Sequence, residues 1–247
     1  MPFATPVMSR RLKIALASVG GLLALACGAC AYVLHAMDEV QPFYADALKA
    51  NPGELESAGR QMESRVSAFR SEAEQSGRWQ SVFTDDEVNG WLAVVLEEKY
   101  AKLLPTGVSD PRVAFTAGGC QIGYRYQGRR LNAVVSVEGE AFMVSEDVAA
   151  FRLRRARFGG LPLPMSGVVE EISKAATKME IPVTWSDLET DPVLLVSVAD
   201  ALSTEEELRK LERVELRDGE LLLAGKTEPR PQPKTAIANR VQAAAGR

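Results

Sequence analysis

The residue types best suited to chemistry in this chain are two sets of carboxylates and a run of arginines. Asp85, Asp86 and Glu87 are consecutive, and Glu138 and Glu140 stand two apart. Paired carboxylates can divide general acid and general base roles at a hydrolytic site without help from histidine. Both sets also have a structural explanation. The first three fall where a helix starts and complement its dipole, and the other two alternate with apolar residues on the wet face of a strand. Arg152, Arg154, Arg155 and Arg157 place four cations within six residues, flanked by Phe151 and Phe158. Guanidinium forks suit phosphate oxygens, which makes this run the candidate contact for anionic lipid headgroups or another envelope polyanion. A solvated edge strand protected by charge is the competing explanation.

Other chemistries are closed by what the sequence omits. The single histidine, His35, ends an apolar N-terminal run, so the folded part has no imidazole for a Ser-His-Asp triad, a Cys-His dyad or a His/Cys zinc site. No serine has a lysine three residues later, which removes the Ser-Lys arrangement of penicillin-binding enzymes. Gly225-Lys226-Thr227 lacks a glycine at the phosphate-loop spacing and a helix to follow it. The expectation is no catalytic residue, no metal and no cofactor. The 33 acidic and 29 basic residues give a formal charge of -4, unlike a general nucleic-acid binder. At 46 % apolar and 25 % charged, the chain can bury a normal core.

Residues 14–34 carry no charge over 21 positions, about 31 Å of helix, the thickness of a bilayer core. Arg10, Arg11 and Lys13 precede this run and Asp38 and Glu39 follow it. That bias puts the N-terminus inside and the rest of the chain on the extracytoplasmic side of the cytoplasmic membrane, behind a single-pass anchor. Ala24-Leu25-Ala26 and Ala29-Cys30-Ala31 also fit signal cleavage, with a lipoprotein cysteine at Cys27 as a third reading. Gly20, Ala24 and Gly28 share one helix face and could pair two anchors. Cys27 and Cys30 lie in the same run, leaving Cys120 as the one thiol beyond it.

The organisation expected is residues 1–13 as a basic cytoplasmic N-terminus, 14–34 as the anchor or uncleaved signal, 35–80 as a helical juxtamembrane stalk, 81–227 as an α+β domain, and 228–247 as a disordered Pro/Ala-rich tail. Leu55, Met62 and Phe69 repeat by seven, predicting a helix over 53–75 that either pairs protomers or lies on the domain. Thr84 and Glu87 form a capping box, from which Val88, Trp91, Leu92, Val95, Leu96 and Leu103 run at helical spacing until Pro105. From Pro111 the period becomes two. A hairpin turns at Gly118-Gly119; a strand of about 14 residues bends at Gly139; a fourth strand covers 148–158. Ser166 is the expected cap of a second helix with Val168, Val169, Ile172, Ala175, Ala176 and Met179 as its buried face. Residues 193–198 read as a further strand, and Asp218-Gly219 as the turn of a closing hairpin. The fold class expected is α+β, one long curved antiparallel sheet packed on two amphipathic helices.

Phe83-Thr84 opening a helix that carries Asn89, the strand meander, the Gly159-Gly160-Leu161-Pro162-Leu163-Pro164 segment, and a helix with closing strands behind one apolar N-terminal run together resemble the YpmS family of membrane-anchored bacterial proteins. More distantly the pattern is similar to tubular lipid-binding (TULIP) modules. The likeness covers about residues 81–227. It implies a curved sheet wrapped around a long helix with acyl chains held between them, and no catalytic residue. The expected site is therefore a lipid-binding space between helix 85–103 and the concave sheet face, lined by Trp91, Val95, Val135, Val137, Phe142 and Met143. The alternative is an envelope assembly module with a filled core, pairing through the 53–75 helix or through Gly20, Ala24 and Gly28.

Overall fold

The computed structural model describes residue 32 and residues 35–229, apart from 130, 179–181, 189–190, 198–202 and 204–206. Of residues 14–34 all but Tyr32, and so Gly20, Ala24, Gly28, Cys27 and Cys30, lie outside the described residues. Among the described residues no helix is long and apolar enough to cross a membrane.

Between the helical residues 35–37 and the first described strand lie α1 (Pro42–Ala47) and α2 (Pro52–Ala73), each with proline at its start, where the missing N–H costs no hydrogen bond. Asn51 and Glu54 form a reciprocal cap on α2. Strand β1 (Gly77–Thr84) leads directly into α3 (Asp85–Gly90). The Thr84 hydroxyl accepts from the Glu87 N–H at 3.2 Å, and the Glu87 carboxylate accepts from the Thr84 N–H at 3.1 Å, the capping box read from the sequence. The helix continues as a π-helical turn (Trp91–Val95), α4 (Leu96–Lys99) and a 3-10 turn (Ala101–Leu103) before Pro105.

The meander follows: β2 (Val108–Thr116), β3 (Gly119–Gln127), β4 (Asn132–Ser145) and β5 (Val148–Phe158). After the short β6 (Leu161–Pro162) come α5 (Met165–Lys178), β7 (Val183–Leu188), β8 (Asp191–Ser197), β9 (Glu207–Arg217) and β10 (Glu220–Pro229). The strands form two antiparallel sheets. A large one runs β2-β3-β4-β5-β8-β7 with β6 added on β5, and a three-stranded one runs β1-β10-β9. The chain is α+β, as expected, but the single long sheet is replaced by two. The small sheet packs on part of the large one, where Phe115 and Cys120 are buried with Leu216 while Val113, Ile122, Ala141, Phe151 and Leu221 close around them.

Several expectations change. The 35–80 segment is laid on the fold: Tyr44 in α1 is fully buried, its hydroxyl donating to the Asp110 carbonyl at 2.8 Å. The backbones of α2 and α3 meet at Gly59 and Gly90. On α2, Phe69 stacks edge-on against Trp79 and Phe83 at 5.2 and 5.9 Å between centroids. The unit therefore extends back through β1, whose Gly77 pairs with Thr227. Helix α5 starts at Met165, so Ser166 lies inside its first turn instead of capping it, and Ala175 is exposed. Strand pairing also reaches Glu228 and Pro229, the first residues assigned to the tail; residues 230–247 lie outside the described residues.

Candidate functional site

Alternation fixes what each face of the large sheet carries. On β4, Val135 and Val137 point to one face and Glu138 and Glu140 to the other. At Gly139 the register against β5 slips, pairing Glu138 with Arg155 and Gly139 with Leu153, so Arg154 is an extra residue on β5. This is a β-bulge. It lets Arg154 and Arg155 face the same side while Leu153 and Ala156, on either flank, are both buried. A side chain at 139 would run into the Phe151 ring and the Arg152 carbonyl, so glycine is required for this close approach.

Around the Gly139 bulge the outer face is polar and internally paired, whereas at Gly123 it is covered by Phe43 and Tyr44 of α1. Arg154 grips Glu140 with two hydrogen bonds of 2.9 Å and reaches Asp191 at 2.7 Å. Arg155 meets Glu138 at 3.3 Å, and Arg152 meets Glu140 at 3.7 Å while lying 5.2 Å from the Phe142 ring centroid. Among the described residues Arg157 has no carboxylate within 4 Å. The arginine run thus spends most of its charge on strand acids. A shallow outer cleft of about 650 Å³ is lined by Glu138, Glu140, Phe142, Arg152 and Arg154, so Phe142 belongs to this polar side and not to an apolar site.

The inner face is apolar and is covered in two different ways. Over the half bearing the 117–119 and 145–148 turns, the small sheet and α2 fill it. There Met143 packs against the cluster of Ala73, Trp79 and Leu211. Over the half bearing the 128–131 and 159–160 turns, α5 is the one described helix that crosses it, and among the described residues a groove of about 490 Å³ remains between helix and sheet. That volume lies within the range of about 300–1,000 Å³ usual for small-molecule sites. Its floor is Ile122, Tyr124 and Tyr126 of β3, Val135 and Val137 of β4, and Phe151, Leu153 and Phe158 of β5. Leu163, Pro164, Val168 and Ile172 form its roof. Among the described residues Glu170 and Glu171 are the charged members of the lining, and both pair with Lys174, at 2.8 and 2.9 Å. Burial pushes the Tyr124 phenol up, and the Glu171 carboxylate adds to this, so the hydroxyl remains protonated. Trp185 of β7 donates to Ser173 Oγ at 2.8 Å, fixing α5 beside the sheet.

The expected lining residues therefore divide. Val135 and Val137 line the groove, whereas Trp91 and Val95 do not. These two sit in the π-helical turn between α2 and the free edge of β2, Trp91 stacked 6.1 Å from Tyr100. The helix expected to roof the site instead closes the edge of the sheet. Asn89 donates to the Val113 carbonyl at 2.9 Å and accepts from the Val113 N–H at 2.7 Å, standing in for a neighbouring strand. The floor residues missed were legible in kind, since Ile122, Tyr124 and Tyr126 alternate as Val135 and Val137 do.

Of the carboxylates read first, Asp85 and Glu87 have structural partners. Asp85 accepts from the Phe115 N–H at 3.4 Å, and burial pushes its carboxyl up. Burial would also raise Glu87, but the Arg65 fork, at 2.7–2.9 Å, and the Thr84 N–H hold it below the usual range. Burial pushes the Cys120 thiol up to about 12, which leaves it protonated and unreactive. The arrangement offers an apolar groove with two phenols on its floor and two carboxylates on the helix above it. Comparison of the chain with family models, with curated proteins and with solved structures finds no match.

Proposed function

We propose that this chain is a non-enzymatic protein of the cytoplasmic membrane, anchored by residues 14–34, whose extracytoplasmic domain holds a lipid or comparable apolar envelope component between α5 and the large sheet. The observation that carries this reading is the groove itself: two strand-alternation patterns and one helix face converge on an open, nearly uncharged space instead of closing it. Burying an acyl chain there is favourable by about 25 cal/mol per Å² of apolar surface removed from water. The competing assembly reading calls for an unpartnered apolar stripe on α2. Its Leu55, Met62 and Phe69 are partly buried, and Phe69 is in contact with Trp79 and Phe83, which favours the lipid reading.

The test is native mass spectrometry with organic extraction on residues 35–247 purified from a bacterial host without detergent. This form keeps Ala36 and Met37, both buried in the fold. A lipid retained near one per chain is the expected result. A folded protein with no extractable apolar molecule would overturn the proposal.

A further inference from the structure

The apolar run ends at Leu34, and the chain is locked into the fold two residues later. Ala36 and Met37 are buried, and the Ala36 carbonyl accepts from the Gly160 N–H at 2.6 Å. A side chain at Gly159 would strike the Ala36 and Met37 carbonyls, and Gly160 lies directly beneath Glu39. Two residues span at most about 7 Å. The 159–160 turn is therefore tied within about 10 Å of the point where the apolar run stops.

The same turn adjoins the groove. Phe158, immediately before Gly159, lines it together with Tyr126, and their rings meet edge-on at 6.1 Å. Tyr126 in turn lies next to the 128–131 turn at this end of the sheet. That turn reads Gly128-Arg129-Arg130-Leu131. Arg129 is exposed, and Leu131 presents 49 % of its surface to solvent. The turns at the far end have the opposite character: Glu146-Asp147, Asp218-Gly219 and the small residues Ala117-Gly118. A basic turn with an apolar tip suits an anionic lipid surface, which repels acidic turns.

We infer that the short tether sets the 128–131 and 159–160 end of the sheet against the membrane, so that the groove takes an acyl chain directly from the phospholipid leaflet beneath it. The inference rests on the reading of residues 14–34 as an anchor and of the groove as a lipid site. It adds where the ligand comes from and which way the domain stands. The outward leaflet of the membrane that holds the anchor is both partner and source.

The full-length chain is reconstituted in vesicles of phosphatidylethanolamine and phosphatidylglycerol, with a benzophenone amino acid replacing Leu131, Ala117 or Val168 in turn. Illumination should give lipid adducts at 131 and 168 and at least tenfold less at 117, an exposed position at the far end. Equal labelling at 117 and 131 would overturn the orientation. Adducts at 168 without adducts at 131 would overturn the inference while leaving lipid binding standing. Adducts at 131 without any at 168 would overturn groove loading and the functional reading with it. A second variant inserts 20 Gly/Ser residues between Leu34 and His35, a span of about 25 Å, without touching the folded residues. Adducts at 131 and 168 should fall about tenfold; undiminished labelling would overturn the role of the tether.

Discussion

The large sheet has one construction and two ends. At the 117–119 and 145–148 end its turns are stapled by hydrogen bonds to the small sheet: Gly118 N–H to the Leu216 carbonyl, Gly219 N–H to the Phe115 carbonyl, each at 3.0 Å, and Leu211 N–H to Asp147 Oδ1 at 2.9 Å. At the 128–131 and 159–160 end, α5 is held by side chains, such as Trp185 to Ser173 and Lys178 to the Lys102 carbonyl. Alternating apolar residues face inward at both ends. What decides between core and groove is the cover: a second sheet that matches the first residue by residue, or one helix standing off it. On the proposed function, stability and binding are allotted to different halves of the same strands, as local differences in opening free energy allow.

Substitutions in the two halves should separate these roles. Trp79→Ala removes the centre of the stapled half, including the 3.1 Å bond from its indole N–H to Thr227, and should cost about 3–5 kcal/mol in urea unfolding. Lipid content per folded molecule should stay unchanged, and a parallel loss of lipid would break the division of roles. Glu87→Gln acts in the same half and should cost about 1–3 kcal/mol at neutral pH, since Arg65 loses a charged partner. Its sign with pH is fixed. The Glu87 carboxyl is lowered in the fold, so its contribution is present above the unfolded carboxyl range and is lost as pH falls through the folded value. Unfolding curves of the wild type and the variant should therefore converge only once the pH has fallen below the ordinary carboxylate range; a gap that persists in stronger acid would refute the assignment. Val168→Glu puts a carboxylate into the roof of the groove. It should change stability by less than about 1 kcal/mol, yet abolish lipid retention in native mass spectra.

The elements read most closely from the sequence are those that local chemistry specifies. The Thr84–Glu87 cap, the Asp218-Gly219 turn, β5 over Val148–Phe158 and the bend at Gly139 needed only neighbours in the chain. The end of strand β9 at Val214–Arg217 was legible as one arm of the closing hairpin, but its first half escaped because Glu207-Leu208-Arg209-Lys210-Leu211-Glu212 is rich in helix-favouring residues. Its extended form comes from pairing with β10, where Lys210 meets Glu228 and Lys226 meets Glu212. Strand β1 carried an alternation of Trp79, Ser81 and Phe83, but its partner lies in β10 at the far end of the chain. The candidate site failed in a related way. Periodicity identified the apolar faces of helix 85–103 and of β4 but not which faces meet, and Asn89 assigns the helix to the edge of β2. Phe142 was placed on the wrong side of β4 although its parity matches Glu140.

The pairing of β1 with β10 bears on how the protein is made. Thr227 is buried and its hydroxyl donates to the Ala73 carbonyl at 2.8 Å, so an early helix is completed by almost the last described strand. A chain emerging N-terminus first holds Trp79 and Phe83 without their partner until β10 appears, a wait on the order of ten seconds at about 5–20 residues per second. During that interval the stapled half is an open apolar surface on a nascent chain. Its maturation should depend on whatever shields such surfaces until then, while the meander from β2 to β5, whose hairpins pair with their neighbours in sequence, can form without waiting.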